Sequence, residues 1–220
     1  MKTFNFQIIT KDYDLNEEKE YLENIAGVAV KSGADVLQLR NKKLPAKNIY
    51  NSALFIKKLI KKITDALKSD NKPALIINDR PDIAYLAGAD GVHVGQEDFP
   101  PADVKKFFPK LILGVSVQNA VQAVLAQRGG ADYIGAGPAY PTASKADAGN
   151  QMQPENFKEI CKTVDIPVIA IGGITESKVK KLAALGVSGV AVISAISNAK
   201  NPLNEALKFR KNIDKYTTLP

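Results

Sequence analysis

The stretch Gly88-Ala89-Asp90-Gly91-Val92-His93-Val94 carries the pattern that decides the fold. Its first glycine suits the position just after a helix, its aspartate suits a turn, and the β-branched run that follows predicts a buried strand. The same Gly-Ala-Asp step recurs at residues 33–35 and 130–132, and a Gly-Val-Ser variant occupies residues 186–188. Each copy follows a helical stretch and precedes a short apolar run, so the chain repeats one structural unit.

Four more apolar runs lie between the marked strands, and helical stretches separate all of them. The predicted strands are 7–10, 36–39, 74–77, 91–94, 111–115, 133–136, 167–171 and 189–193; the predicted helices are 16–32, 46–68, 80–87, 101–108, 119–128, 153–163, 176–185 and 202–214. Strict alternation predicts parallel strands with helical crossovers. Eight such units in 220 residues predict an α/β fold, a single (β/α)8 TIM barrel.

A doubly wound open sheet is the alternative architecture. It fits less well, because strand one ends in Thr10-Lys11-Asp12 instead of a Gly-x-Gly-x-x-Gly turn. No long Pro/Gly/Ser-rich linker interrupts the chain. We therefore expect one domain over residues 1–220, with residues from about 215 to 220 forming a tail.

The composition is that of a globular protein, with 45% hydrophobic and 24% charged residues. No apolar run approaches the roughly 18 residues of a membrane span, and the N-terminus lacks a secretory pattern. We therefore expect no membrane partner. The single cysteine, Cys161, has no partner for an internal disulfide, so we expect a cytoplasmic protein. The net charge is +7, but the densest lysines, at 57, 58, 61 and 62, alternate with apolar residues as on an amphipathic helix, and we expect no nucleic-acid partner.

Acidic and amide side chains stand where two predicted strands end, which is where barrels of this kind place their active sites. The third strand ends in Asn78 and Asp79, and the loop after the fourth carries Gln96-Glu97-Asp98. Such oxygen ligands suit Mg²⁺, which usually takes one or two carboxylates plus substrate phosphates. Other exits supply cations, namely Arg40, Lys42 and Lys145. The pattern predicts magnesium-assisted chemistry on a polyphosphate.

The remaining exits add polar groups and glycines. Gln38 and Arg40 share one face of strand two, and strand five ends in Ser116. The irregular loop 137–150 holds Thr142, Ser144 and Lys145 and is expected to carry function, often as a lid. Gly172-Gly173 and Ile193-Ser194 end the last two strands, where backbone N–H groups bind phosphate in this fold. A plain tight turn at the glycine pair is the alternative.

Three of these residues have competing interpretations. Arg40 could form a structural ion pair with Asp79. His93, the only histidine, fits a packed barrel residue better than a general base. Lys145 could form a Schiff base, but its polar loop favours a charged, anion-binding side chain.

The strand exits together closely resemble the thiamin-phosphate synthase family. Seven motifs carry the resemblance in order along Gln7–Phe209: residues 38–42, 77–79, 93–98, 114–116, 137–145, 171–174 and 192–196. Three departures are Asn41, where the family commonly has Glu, Ser144, where it commonly has Thr, and Val117-Gln118-Asn119, which replaces a stretch that often includes His. The resemblance implies a transferase of the EC 2.5.1.3 type. It would join 4-amino-5-hydroxymethyl-2-methylpyrimidine diphosphate to 4-methyl-5-(2-phosphoethyl)thiazole and release diphosphate.

The resemblance also implies roles for individual residues. Asp79 and Asp98 resemble the Mg²⁺ ligands, and Arg40, Lys145 and Ser116 the catalytic groups. The implied pyrimidine diphosphate binders are Gln38, Arg40, Lys42, Asn78, Ser116 and Lys145. The implied thiazole phosphate binders are Thr142, Ser144, Gly173, Ile193 and Ser194. We expect the exits of strands seven and eight, with Gly173 and Ser194, to lie across the barrel from Arg40.

Rival functions are a thiazole tautomerase-like paralogue, a non-catalytic phosphate-binding barrel and a Schiff-base aldolase. The paralogue typically loses parts of the diphosphate and metal set, whereas Asp79, Asp98 and Lys145 are all present here. A non-catalytic barrel would have no use for two carboxylates facing three cations. The expected partners are the two small-molecule substrates and, as a further possibility, a second copy of the chain in a homodimer.

Overall fold

A computed structural model describes residues 4–142, 144 and 150–217. Eight parallel strands form a closed barrel in the order β1 to β8, so the open-sheet alternative is wrong. The strands are β1 Phe6–Ile9, β2 Val36–Leu39, β3 Ala74–Asn78, β4 Gly91–Val94, β5 Ile112–Val117, β6 Tyr133–Ala136, β7 Val168–Ile171 and β8 Gly189–Val192. The predicted TIM barrel is thus confirmed.

Helices surround the barrel. They are α1 Glu18–Lys31, α2 Ala46–Leu67, α3 Pro81–Ala87, α4 Pro101–Phe107, α5 Ala120–Arg128, α6 Pro154–Thr163, α7 Val179–Ala183, α8 Ser194–Ser197 and α9 Pro202–Tyr216, with a 3₁₀ turn at Glu176–Lys178. Most predicted bounds hold to within two residues; the seventh helix is shorter because the 3₁₀ turn replaces its start. The last helix runs to Tyr216, beyond the point where the tail was expected to begin. No helix in the described ranges is long and apolar enough to cross a membrane.

Strand side chains alternate between two apolar layers. Outward residues such as Leu37, Val92 and Val190 pack with the helices in one cluster. Inward residues such as Ile76, Tyr133 and Ile169 form a separate cluster inside the barrel. The period of two places Gln38, His93 and Ser116 on the inward face as well, so polar groups accumulate inside the barrel near the strand exits.

The Gly-Ala-Asp repeat locks the opposite end of the barrel. Its glycines adopt left-handed φ values, 75° at Gly33, 59° at Gly88 and 89° at Gly130, as expected just after a helix. The aspartates do more than start a turn: each carboxylate accepts a hydrogen bond from a backbone N–H of the preceding strand. The bonds run from Phe6 to Asp35 (2.8 Å), Leu75 to Asp90 (2.9 Å) and Leu113 to Asp132 (2.7 Å).

Candidate active site

A cavity of about 360 Å³ opens at the carboxyl ends of the strands. Its wall includes nearly all the predicted site residues, namely Arg40, Lys42, Asn78, Asp79, Asp98, Ser116, Thr142, Ser144, Gly173, Ile193 and Ser194. Gln38 lies beneath this cavity, where it borders a small void together with His93. Lys145 lies outside the described residues. The structure therefore gathers both predicted phosphate regions into one space.

Two carboxylates face this cavity from neighbouring strands, β3 and β4. Asp79 has a left-handed φ of 63°, and its N–H donates to the His93 carbonyl at 2.8 Å. Its Oδ2 lies 3.9 Å from Nζ of Lys42. Asp98 accepts a 2.6 Å hydrogen bond from the Gly95 N–H, which fixes the loop after β4. Backbone contacts at both strand exits thus hold the two acids in place.

These acids fit a magnesium site of the substrate-assisted kind. Within residues 4–142, 144 and 150–217, no group of three His, Cys, Asp or Glu side chains forms a complete metal cage. Two carboxylates on one cavity wall leave most of an octahedron to water and to phosphate oxygens, which is how Mg²⁺ is usually held in phosphoryl and diphosphate sites. The donor set therefore suits Mg²⁺ bound together with a substrate diphosphate.

Arg40 is buried, and its partner differs from the one considered in the sequence analysis. Its Nη1 donates to Asp12 Oδ1 at 3.2 Å, so the alternative pairing with Asp79 is wrong. The Thr10 hydroxyl makes two hydrogen bonds to the backbone of Arg40. It accepts from the Arg40 N–H at 2.8 Å and donates to the Arg40 carbonyl at 2.6 Å. The Nε atom of Arg40 is buried and has no hydrogen-bond partner in the described part of the protein. A donor of this kind is available to a bound anion.

Asn41, one of the departures from the family pattern, turns away from the cavity. It is 5% exposed, and its side chain donates to the Tyr13 carbonyl at 2.8 Å. Its Oδ1 accepts from the Lys43 N–H at 3.0 Å. Asn41 therefore shapes the loop after β2 that presents Lys42, and it is not among the residues that line the cavity.

His93 is buried, as a packed barrel residue should be, and its ring also reaches the site. Nε2 lies 2.9 Å from Ser116 Oγ, and Nδ1 lies 3.1 Å from the Tyr133 hydroxyl. Tyr133 is fully buried, and burial raises the pKa of its phenol well above the ordinary value. The sequence does not predict this contact between His93 and the hydroxyl of Ser116.

The side of the cavity predicted to bind phosphate is built from two loops that pack on each other. Gly172 and Gly173 have left-handed φ values of 100° and 59°. A Cβ on Gly173 would stand 2.4 Å from the Pro141 carbonyl oxygen, so the loop after β6 lies directly on the glycine turn. Ser144 Oγ donates to Ser194 Oγ at 3.0 Å, which joins that loop to the start of α8.

Lys178 and Tyr140 support the glycine turn from outside the cavity lining, which the sequence did not predict. Lys178 Nζ donates to the Gly173 carbonyl at 2.8 Å and lies 3.9 Å from the centroid of the Tyr140 ring.

The closed strand order corrects one expectation about the position of Ser194. Only β1 separates β8 from β2, so Ser194 does not lie on the side of the barrel opposite Arg40.

The sequence comparisons with known proteins identify one family. A family model described as thiamine monophosphate synthase matches residues 6–196. A thiamine-phosphate synthase of Methanobrevibacter smithii is 47% identical over 188 residues, 85% of this chain and 86% of that protein. One from Salinibacter ruber is 38% identical and covers 94% of this chain and 87% of that protein. A solved thiamine phosphate pyrophosphorylase from Pyrococcus furiosus superposes with a TM-score of 0.82 at 30% identity, covering 99% and 98% of the two chains.

Proposed function

The chain belongs to the thiamine monophosphate synthase family and makes thiamine phosphate, and we propose that it joins 4-amino-5-hydroxymethyl-2-methylpyrimidine diphosphate to 4-methyl-5-(2-phosphoethyl)thiazole. It is a transferase, with diphosphate as the proposed leaving group. One observation supports this reaction most strongly. Cationic and acidic groups suited to Mg²⁺ and diphosphate share a single cavity with a glycine turn suited to a phosphate.

We assign the pyrimidine diphosphate to the β2–β5 side of the cavity. Arg40 and Lys42 supply positive charge there, and Arg40 Nε is a buried donor with no partner in the described protein. Gln38 Oε1 is likewise a buried acceptor without a partner among the described residues, which suits the amino group of a pyrimidine. Asn78 and Ser116 add polar contacts. Lys145, assigned from the family resemblance, would supply a third cation.

The proposed cofactor is Mg²⁺, held by Asp79 and Asp98 together with diphosphate oxygens and water. When bound, the ion would neutralise negative charge on the departing diphosphate. The protein's own donors act on the same charge. The guanidinium of Arg40 and the ammonium of Lys42 stabilise diphosphate oxygens as they gain charge in the transition state.

The proposed substitution is dissociative. The bond between the pyrimidine methylene carbon and the diphosphate oxygen breaks, and its electron pair leaves with the diphosphate. The pyrimidine ring stabilises the resulting methylene cation, and the thiazole nitrogen captures it with its lone pair. This path needs no protein nucleophile and no strong base. The absence of a base in this path agrees with His93, whose two ring nitrogens lie within hydrogen-bond distance of Ser116 and Tyr133.

We assign the thiazole phosphate to the β6–β8 side. Ser144 and Ser194 offer hydroxyls beside the start of α8, and the turn at Gly172–Gly173 lines the same cavity, where the backbone N–H groups of such a turn suit a phosphate. Thr142 and Ile193 complete the proposed set. Holding this phosphate fixes the thiazole nitrogen near the methylene carbon, and such positioning contributes several orders of magnitude to rate.

Three rival functions receive less support. The curated relatives reported above are thiamine-phosphate synthases, which does not favour the thiazole tautomerase-like paralogue. Nor do they favour a non-catalytic phosphate-binding barrel or a Schiff-base aldolase.

We also propose that the protein is cytoplasmic and forms a homodimer. The single cysteine leaves no disulfide to form within the chain, which favours the cytoplasm.

The homodimer is proposed from exposed apolar side chains. Large apolar side chains are more than half exposed on α3 to α5, namely Tyr85, Leu86, Phe107, Val121 and Leu125. Exposed apolar side chains on three consecutive helices offer a surface on which a second copy of the chain could pack. Light scattering should give a dimer that Phe107→Asp converts to monomer; a monomeric wild type would rule the dimer out.

The function is tested with pure protein, both substrates and Mg²⁺, assayed for thiamine phosphate. We expect product only when both substrates are present. Conversion of a thiazole tautomer without condensation would instead support the paralogue function, and borohydride trapping of a covalent adduct would support the aldolase. Binding of the substrates with no turnover would support the non-catalytic barrel.

A further inference from the structure

The only histidine of the sequence lies between two hydroxyl groups inside the barrel. His93 Nδ1 lies 3.1 Å from the Tyr133 hydroxyl, and Nε2 lies 2.9 Å from Ser116 Oγ. The three side chains come from β4, β6 and β5, and they form one chain of hydrogen bonds from the barrel interior to the wall of the cavity.

Two glycines make room for this chain of hydrogen bonds. A Cβ on Gly114, which pairs in register with both His93 and Tyr133, would stand 2.2 Å from Tyr133 Cζ and 2.5 Å from His93 Nδ1. A Cβ on Gly135 would stand 3.0 Å from His93 Cε1. The backbone of β5 and β6 is therefore adapted to hold the imidazole and the phenol in this arrangement.

The burial of Tyr133 sets the direction of the hydrogen bonds. Its side chain is fully buried, and burial raises the pKa of the phenol, so the hydroxyl keeps its proton. His93 Nδ1 is the only acceptor for that proton among the described residues. An orphaned buried O–H costs about 1–3 kcal/mol. The favourable arrangement therefore has Tyr133 donating to Nδ1, which leaves the ring proton on Nε2.

We propose that His93 is a positioning residue that holds Ser116 as a hydrogen-bond donor to the substrate diphosphate. The Nε2–H group donates to Ser116 Oγ, which occupies a lone pair of that oxygen. The Ser116 hydroxyl proton, which has no acceptor among the described residues, is then directed to an anion in the cavity. This assignment rests on the proposed function, because it needs a diphosphate beside Ser116.

The contribution should appear mainly in kcat. Negative charge on the diphosphate rises as the carbon–oxygen bond breaks, so a fixed donor binds the transition state more strongly than the substrate. His93 itself takes up no proton in this account. A general-base role would instead require the ring to gain a proton during turnover.

The tautomer is tested first, on the full-length protein without substrate. A single histidine gives one unambiguous ring in two-bond ¹H–¹⁵N spectra of histidine-labelled protein. We expect a proton on Nε2 and none on Nδ1 at neutral pH, and we expect Tyr133→Phe to shift the ring toward the other tautomer. An Nδ1–H tautomer, a doubly protonated ring, or an unchanged tautomer in the Phe variant would overturn the proposal. This readout does not depend on whether the protein makes thiamine phosphate.

Kinetics of matched variants then test the effect on Ser116. The amide nitrogen of His93→Gln can take the place of Nε2 and still donate to Ser116, whereas His93→Asn is too short and preserves only the acceptor for Tyr133. For variants that melt cooperatively, we expect His93→Asn to lower kcat roughly 10-fold to 100-fold with little change in KM. The kcat of His93→Gln should stay well above that of His93→Asn. In a Ser116→Ala background the two variants should be equal. Equal kcat values for His93→Gln and His93→Asn in the wild-type background would overturn the proposal. So would losses of kcat in the Ser116→Ala background that are as large as those in the wild-type background.

Discussion

Asp12 Oδ1 lies 3.2 Å from Nη1 of Arg40 and 2.8 Å from the backbone nitrogen of Lys42. One carboxylate at the end of β1 therefore orients a buried guanidinium and fixes the loop that carries the neighbouring cation. Arg40 is only 3% exposed, so its position depends on this partner and on Thr10. Asp12 thus holds two cations that line the proposed diphosphate site, while it does not line the cavity itself.

Removing the Asp12 side chain should impair catalysis through Arg40. We expect Asp12→Ala to lower kcat/KM for the pyrimidine diphosphate by roughly 10-fold to 100-fold, because a displacement of about 1 Å in a charge-stabilising group can cost that much. Asp12→Asn keeps an acceptor oxygen and should lose less. Steady-state kinetics with the thiazole phosphate held at saturation measure the effect. A wild-type rate in the Ala variant would mean that Arg40 is positioned without Asp12.

Metal removal should abolish turnover, and Mg²⁺ or Mn²⁺ should restore it. Asp79→Asn is the cleaner test of this site than Asp79→Ala, because Asn tolerates the left-handed φ of 63° at this position. We expect the Asn variant to lose about two to four orders of magnitude in kcat. The diphosphate-dependent binding of Mn²⁺, followed by electron paramagnetic resonance, should weaken in parallel. Full activity in excess chelator would contradict the metal assignment.

The two substrate regions should be separable by mutation of the glycine turn. Gly173→Ala places a Cβ 2.4 Å from the Pro141 carbonyl oxygen at a φ of 59°. We expect KM for the thiazole phosphate to rise about tenfold or more while KM for the pyrimidine diphosphate changes little. Gly27→Ala is the matched control, since no atom lies within 4 Å of its Cβ position. Equal losses for both substrates in the Gly173 variant would place the thiazole phosphate elsewhere.

Stability should depend on the aspartates of the repeat, at the end of the barrel away from the cavity. Asp132→Ala leaves the buried N–H of Leu113 without its 2.7 Å acceptor, which should cost about 1–3 kcal/mol of unfolding free energy. Lys105→Met removes the ion pair with Asp132 and the 2.9 Å hydrogen bond from Lys105 Nζ to the Leu111 carbonyl but keeps the Asp132 acceptor, and it should cost less, about 1 kcal/mol. Urea unfolding measures both, and kcat should stay unchanged. Equal effects of the two substitutions would assign the stabilisation to the ion pair.

The repeat allowed the barrel to be predicted from the sequence, because each Gly-Ala-Asp step marks a helix end and a strand start. The strand exits then followed, since parallel strands in a barrel end on one face. The role of Asp12 could not be predicted in this way. Its partner Arg40 lies 28 residues away on the next strand, and no spacing rule connects a loop carboxylate to that guanidinium.

The contact between His93 and Ser116 was hidden for a different reason. His93 reads as a core residue between two valines, and it is one by burial. Its hydrogen bonds depend on the register of β4, β5 and β6, which pairs His93 with Gly114 and Ser116 with Gly135. A sequence shows the alternation of side chains along one strand but not the register between strands. Nothing in the sequence therefore indicates that the buried His93 also contacts the site residue Ser116.

The most direct measurement is ³¹P NMR of the pure protein with both substrates and Mg²⁺. We expect one thiamine phosphate and one diphosphate to form for each pyrimidine diphosphate consumed, and omission of either substrate should stop product formation. Release of diphosphate without thiamine phosphate, or no reaction at all, would contradict the claim that this one cavity holds both phosphates and joins their carriers.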